Sequence, residues 1–373
     1  MLEVVKSSQQ LIKESNMRLV FRLIHKNGCI SRADIKKITG LSATTVSSLV
    51  EALMADGLVE ECGVKDSNTS GRKAVLLQVC ADGGYFVGLD IRKNRIVADA
   101  FALDFTSVFH TEVPIVKGQK IAMGILHAIG MVSRNRRILG VTMGVPGVID
   151  TKNNRLLSST VLDAEDARDV YQTVSEAMPD VRVILKNNSG LVAYAEKEFG
   201  ADEQVKNLVS IDIDDGVGAG ILIDGKIYDG SGMAGEFGHI SVDFNGERCQ
   251  CGNYGCLELV ASIPAILRKT DCFSMDELLK KLEANDKKAE EAVSSTAKAL
   301  AFGVNNIVNL IDPEFIVVGG QIRTLGEFLL EPLKQCFDEI SLIKDKYIRY
   351  SVLQGNPVTM GGAKVVFDSI FGI

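Results

Sequence analysis

The residues with the most chemistry in this chain are His239, Cys249, Cys251 and Cys256, one imidazole and three thiols within eighteen positions. They form a complete tetrahedral ligand set, and zinc is the metal that most often takes a closed mixture of Cys and His. Nine residues separate His239 from Cys249, one separates Cys249 from Cys251, and four precede Cys256. Gly252 and Gly255 supply the backbone freedom a chain needs to wrap a small ion. The competing reading treats the thiols as unconnected small buried hydrophobes. It leaves the clustering of three of the eight cysteines beside one of the four histidines to accident. The expected cofactor is therefore one Zn2+ ion.

Composition sets the bounds on the elements that hold this loop. A chain of 373 residues is too long for one ordinary domain, and two or three are expected. Hydrophobic residues at 46% and charged residues at 24% describe a soluble globular protein with a sizeable core. No apolar run approaches a membrane span and no secretory leader opens the sequence, so a cytoplasmic protein with no membrane partner is expected. Eight cysteines, three of them metal candidates, suit a reducing compartment better than a disulfide framework. The net charge of −7 excludes a protein that coats nucleic acid generally. The charge is uneven, however: residues 1–80 carry 11 Lys and Arg against 8 Asp and Glu, and the remainder carries 30 against 40. That asymmetry points to an anionic partner for the N-terminal segment.

Residues 17–80 read as three short helices and a β-ribbon. Met17, Val20, Phe21, Leu23 and Ile24 form an apolar face at helical spacing, which Gly28 ends. Ser31 and Asp34 have the spacing of a capping pair for a helix that buries Ile35 and Ile38 and stops at Gly40. Leu41 and Ser42 open the next helix, with Ala43, Val46, Leu49, Val50 and Leu53 as its buried stripe. Two helices joined by a short turn make a helix-turn-helix. The exposed face of the second is Ser42, Thr44, Thr45, Ser47 and Ser48, short hydroxyl side chains suited to a major groove. The strand-like runs 58–61 and 74–79 enclose a polar loop, Gly63 to Lys73, whose tip Gly71-Arg72-Lys73 would form a wing reaching phosphates or a minor groove. The competing reading is a helical interaction domain with a solvated Ser/Thr face.

From Tyr85 the pattern changes to paired strands, 86–91 and 95–101, with a third near 108–113, a helix over 121–132 and a buried strand over 138–145. A strand at 181–185 runs into a helix from about Ser189 to Phe199. New strands at 208–213 and 218–223 then start a similar arrangement. The repetition predicts two α/β lobes, with a cleft as the default ligand site.

Five stretches of the body carry a resemblance. They are Gly235-Glu236-Phe237-Gly238-His239, the Cys249–Cys256 cluster, Gly255-Cys256-Leu257-Glu258, Gly144-Val145-Pro146-Gly147, and Asp312-Pro313-Glu314 followed by Gly319-Gly320. With them the chain resembles the ROK family (repressors, open reading frames and kinases), in the layout of its xylose-repressor and N-acetylglucosamine-repressor branch. The resemblance implies a two-lobed actin-like, ribonuclease-H-like α/β body over 81–373, its second lobe carrying the zinc loop. A winged helix-turn-helix domain over 1–80 precedes it.

The departures from the family's kinases matter as much as the matches. Where the kinases carry an Asn-Asp pair whose Asp is the general base, this chain has Asn187-Asn188. An amide cannot take the sugar proton, although it still hydrogen-bonds. The first phosphate loop of the kinases, Asp-x-Gly-Gly-Thr, corresponds to Asp90-Ile91-Arg92-Lys93-Asn94 here, where side chains obstruct the approach of phosphate. The second, Gly-Thr-Gly, corresponds to Asp214-Asp215-Gly216, whose carboxylates would repel it. The resemblance thus implies no catalytic residue and a retained sugar site at Asn187, Asn188, Glu236, His239 and Glu258. His239 would ligate zinc through one nitrogen and offer the other to the sugar. The expected protein is a cytoplasmic repressor of carbohydrate genes that reads double-stranded, palindromic operator DNA with Ser42, Thr44, Thr45, Ser47 and Arg72. Its effector would be a sugar or sugar phosphate bound between the lobes, and its state a homodimer or dimer of dimers. The alternatives are an ATP-dependent sugar kinase with a fused DNA-binding domain and a regulator that senses a partner protein.

Overall fold

A computed structural model describes residues 8–64, 74–159, 161–200, 204–344 and 346–372. Helix α1 spans Ser8–Asn27, β1 Ile30–Ser31, α2 Arg32–Thr39, α3 Ala43–Ala55, β2 Val59–Val64 and β3 Val75–Val79. The strands pair antiparallel in the order β1-β3-β2 behind the helices. Val20, Phe21 and Ile24 of α1, Ile35 of α2 and Val46, Leu49, Val50 and Leu53 of α3 are buried together as the core of this small domain. Ser31 caps α2 by accepting the Asp34 N–H at 3.2 Å and donating its hydroxyl to the Asp34 carboxylate at 2.8 Å. Gly40 ends α2 in the left-handed region at φ 71°, which costs a side-chain-bearing residue more.

Three expectations need correction here. Ile38 is 57% exposed, because α2 is two turns long and buries only Ile35. Ala43 is exposed, since it is the first helical residue after the cap and lies outside the stripe that starts at Val46. Ser42 precedes α3 and is not one of its helical residues. It is the N-cap, its Oγ accepting the Thr45 N–H at 3.1 Å. The polar loop's tip, with Arg72, lies outside the described residues.

The body begins with β4 (Tyr85–Ile91), β5 (Arg95–Ala102), β6 (Ser107–Pro114), α4 (Ile121–Val132) and β7 (Ile138–Val145). Next come β8 (Val148–Asp150), β9 (Arg155–Ser158), α5 (Ala164–Ala167), α6 (Val170–Ala177), β10 (Arg182–Asn187) and α7 (Asn188–Ala195). The second half holds β11 (Leu208–Ile213), β12 (Val217–Ile223), β13 (Lys226–Ile227), α8 (Glu258–Ala261), α9 (Ile263–Thr270), α10 (Met275–Glu283) and α11 (Lys287–Ile311). The chain finishes with β14 (Phe315–Gly319), α12 (Glu327–Ile340), β15 (Ile348–Tyr350) and α13 (Pro357–Phe371).

Two five-stranded sheets run β10-β7-β4-β5-β6 and β15-β14-β11-β12-β13. In each, the first strand is central, its hairpin partners lie on one side, and the two later strands lie on the other. The same topology used twice is the two-lobed α/β body that the sequence led us to expect. Strand β4 is buried along its whole length, as a central strand covered on both faces must be. In the second sheet β11 is antiparallel to β12 and parallel to β14, and α11 and α12 bury their apolar faces with it in one core.

The chain divides into two compact units: 1–143 with 169–184 and 362–373, and 144–168 with 185–361. The winged helix belongs to the first and is seated on it. Phe21 of α1 stacks on Phe371 of α13 with ring centroids 4.1 Å apart, and His25 lies 4.8 Å from the Phe367 ring. The His25 Nε2 is 3.0 Å from the Leu103 carbonyl oxygen, and Arg137 donates to the Asp56 carbonyl at 2.7 Å. Among the described residues no helix is long and apolar enough to cross a membrane.

Candidate functional site: a Cys/His cluster beside two carboxylates

The site is built on the second unit, around β12. After β13 the chain returns to Gly235, whose φ is 92° and where a Cβ would stand 2.0 Å from the Ala219 carbonyl oxygen of β12. Only glycine permits that approach, and it delivers the next residues onto the strand. Phe237 is buried in the core and fixes one turn of 3-10 helix, Phe237–His239. Glu236 and His239, three apart, therefore face each other, with His239 Nε2 3.9 Å from the Glu236 carboxylate.

The chain then makes a compact knuckle. Ser241 bridges to Cys256 and Arg248 to Tyr254. The Cys249 N–H donates to the Asn253 carbonyl at 2.8 Å, and the Gly252 N–H to the Cys249 carbonyl at 3.0 Å. Gly255 passes so close to Asp243 that a Cβ would stand 1.6 Å from its carbonyl oxygen. These contacts gather one ligand atom each from His239, Cys249, Cys251 and Cys256 within 4.8 Å of one another. Cys251 Sγ lies 3.6 Å from Cys256 Sγ, and Cys249 Sγ lies 3.8 Å from His239 Nδ1. A Zn–S bond of about 2.3 Å sets neighbouring donors of a tetrahedron about 3.7 Å apart. The four residues therefore fit a zinc ion in both chemistry and spacing.

The thiols repeat the point electrostatically. Burial, then the hydrogen bonds of the neighbouring thiols, pushes Cys256 up to about 12, whereas the backbone N–H of Asn253 pulls Cys251 down. The buried Cys256 thiol resists ionising alone, and a bound dication would stabilise its thiolate.

Glu258 begins α8 directly after the buried Leu257, and its Oε2 accepts the Val217 N–H at 3.0 Å. Burial raises Glu236 above the usual carboxylate range, the nearby His239 opposes this, and Glu258 adds to it. Glu236, His239 and Glu258 are thus one electrostatically coupled group. Asn187 and Asn188 lie at the start of α7, which packs on β12 through the Ser189 carbonyl, 2.0 Å from where a Cβ of Gly220 would be. Asn187 caps α7 by accepting the Ser189 N–H at 2.8 Å, and its Nδ2 donates to the Gly147 carbonyl at 2.9 Å. Asn188 Oδ1 also accepts the Ser189 N–H, at 3.0 Å. A shallow pocket nearby is lined by Asn187 together with Ile149, Lys186 and Asp229, the last two ion-paired. Of the five expected sugar residues, this pocket takes in only Asn187.

Both loops that stand where the resemblance places the kinases' phosphate loops make protein contacts. Asp214 accepts the Gln321 backbone N–H at 2.6 Å, immediately after Gly319-Gly320. Arg92 folds back onto the buried Asp90 at 2.6 Å. On α3, Thr44 is exposed, while Thr45 and Ser47 are half-buried. Lys186, Asp229 and the Asp214–Gln321 contact were not singled out from sequence. Lys186 had one signal available, since it adjoins Asn187.

Residues 86–357 match the ROK family pattern and residues 14–60 match that of a winged helix-turn-helix DNA-binding domain. This chain belongs to the ROK family. The xylose repressor of Bacillus subtilis is 32% identical over 377 residues, covering 97% of each chain. The DNA-binding transcriptional dual regulator NagC of Escherichia coli K12 is 26% identical, covering 89% of this chain and 86% of its own. A crystal structure of a ROK family transcriptional regulator, described as a homolog of the E. coli MLC protein, superposes with TM-score 0.82 at 26% identity. It covers 96% of this chain and 97% of its own. A ROK glucokinase from Streptomyces griseus, solved with glucose and AMPPNP, shares the fold of the body alone, with TM-score 0.67 and 24% identity over 76% of this chain and 99% of its own. The ROK body thus has the actin-like fold of sugar kinases, with a winged helix-turn-helix domain in front of it.

Proposed function

We propose that this ROK protein is a cytoplasmic repressor of carbohydrate-metabolism genes, with residues 1–80 as the DNA reader and 81–373 as the sugar receptor. The observation that carries the reading is the pairing of a kept and a lost half-site. Glu236, His239 and Glu258 stand together, whereas Asn188 replaces the base and Asp214 occupies the backbone N–H of Gln321. Carboxylates and an imidazole accept and donate to vicinal hydroxyls, which is what sugar recognition requires. With no base and with phosphate loops closed by side chains, the site binds without transferring phosphate.

His239 Nδ1 and the sulfurs of Cys249, Cys251 and Cys256 are the residues that would hold a zinc ion. When bound, such an ion supplies a rigid clip. The chain's own part is to aim His239 Nε2 at Glu236 and to set Glu258 at the head of α8 just past Cys256. The sugar residues all belong to the second unit and the reader to the first, and the chain passes between them at 143–144, 168–169, 184–185 and 361–362. Sugar biases the reader only to the extent that it binds one arrangement of the units better than another. The reader has a single recognition helix, so we infer a homodimer, or a dimer of dimers, on a palindromic operator.

A sugar panel screened by thermal shift, followed by gel-shift titration with the sugar that stabilises the protein, tests this reading. The expected result is one sugar that raises the melting temperature and alters operator affinity. Specific DNA binding that no sugar changes would overturn the receptor assignment, and failure to bind any duplex selected from random sequence would overturn the reader.

A further inference from the structure

Cys29 and Cys62 place their sulfurs 2.9 Å apart in the winged helix, far from the zinc-ligand cysteines in sequence. Cys29 sits in the turn after Gly28 that leads from α1 to β1, and it is exposed. Cys62 sits at the irregularity of β2, where the pairing with β3 slips between Glu61 and Gly63 on the way to the wing. A disulfide needs the sulfurs at about 2.05 Å, so they stand about 0.9 Å from bonding distance. We propose that Cys29 and Cys62 form a reversible disulfide that staples the DNA reader.

The position gives the bond its meaning. The segment it would close, 29–62, contains α2 and α3 entire, which is the helix-turn-helix. Cross-linking its ends removes freedom from the unfolded segment and fixes the strand that leads into the wing. The exposed Cys29 is the first attacker. Burial, and the hydrogen bond from Cys29, push the Cys62 thiol up to about 11, so it reacts second. With a small-molecule disulfide as oxidant, the Cys29 thiolate attacks one sulfur and expels one thiolate, giving a mixed disulfide. The Cys62 thiolate then attacks the Cys29 sulfur and expels the second. The protein loses two protons and two electrons, and the oxidant becomes two thiols.

Full-length protein loaded with zinc and incubated with oxidised glutathione provides the test, with peptide mapping and melting as readouts. The expected product is a Cys29–Cys62 linked peptide, with a rise in the reader's melting temperature of roughly 5–10 °C that dithiothreitol reverses. Cys29→Ser and Cys62→Ser should each abolish the link and the rise. A stable glutathione adduct on Cys29 with no internal link, or a link that leaves the melting temperature unchanged, would overturn the proposal. Either variant alone keeps the test valid if the other fails to fold.

Discussion

The Asp214 carboxylate accepts the backbone N–H of Gln321 at 2.6 Å, across 107 positions of the chain. That N–H follows Gly319-Gly320, in the turn that leaves β14. Here a side chain of this protein takes the donor, and it brings a negative charge with it. ATP should therefore fail to bind at millimolar concentration by calorimetry, and a coupled assay with ATP and a broad sugar set should show no turnover. Asn188→Asp should leave both results unchanged, because it restores a base without reopening the loop.

Replacing the candidate metal ligands should uncouple the knuckle from the proposed sugar residues Glu236 and Glu258. A Cys249→Ala/Cys251→Ala protein should lose the one zinc per chain that elemental analysis is expected to find in the parent. Its sugar affinity should fall by about tenfold or more, the usual effect of disturbing the shell around a metal site. Zinc retained in the double variant would show that these four residues are not the ligand set.

The two hydroxyls at the start of α3 should behave differently. Ser42→Ala removes a cap and should cost about 1 kcal/mol of stability, seen in denaturant unfolding. Thr44→Ala, at the exposed end of the reading face, should leave stability alone and cost about 1–3 kcal/mol at one operator position if Thr44 reads a base. A loss spread evenly over all sequences would instead assign Thr44 to the phosphate backbone.

His25 links the reader's seat to pH. Burial lowers its pKa from 6.5, the hydrogen bond to the Leu103 carbonyl opposes this, and Lys364 adds to the lowering. The folded protein thus binds the proton less well than the unfolded chain. Its contribution is fully present above about pH 6.5 and is lost as pH falls through the lower folded value. The melting temperature should drop on acidification from pH 7 to pH 5 more steeply in the parent than in His25→Gln, whose amide can still donate to Leu103.

Local elements were the legible part of this chain. Helix α4 begins and ends at Ile121 and Val132, where its apolar period predicted, and Ser31 and Gly40 bound α2 as their chemistry requires. The Cys/His ligand set assembled as its spacing implied, because short loops leave few ways to arrange four ligands. Two things escaped notice because contacts between distant segments leave no period. The two-residue strand β1 exists only because β3 pairs with it. Asn187 ties itself to Gly147 across forty positions as well as heading α7. Ser42 was read as part of the helical face because a cap and an exposed helical hydroxyl differ in backbone conformation, not in residue type.

The seat of the reader has a consequence for how the protein is made. Arg22 of α1 bonds the carbonyl of Gly372, 350 residues later, and Phe21 stacks on Phe371. A ribosome therefore releases the helix-turn-helix hundreds of residues before the α13 surface it rests on. Until the final turn of α13 emerges, the reader hangs on a nascent chain with its aromatic face uncovered. A stop codon before Phe367 would leave α2 and α3 intact and still deprive α1 of the aromatic surface it is seated on.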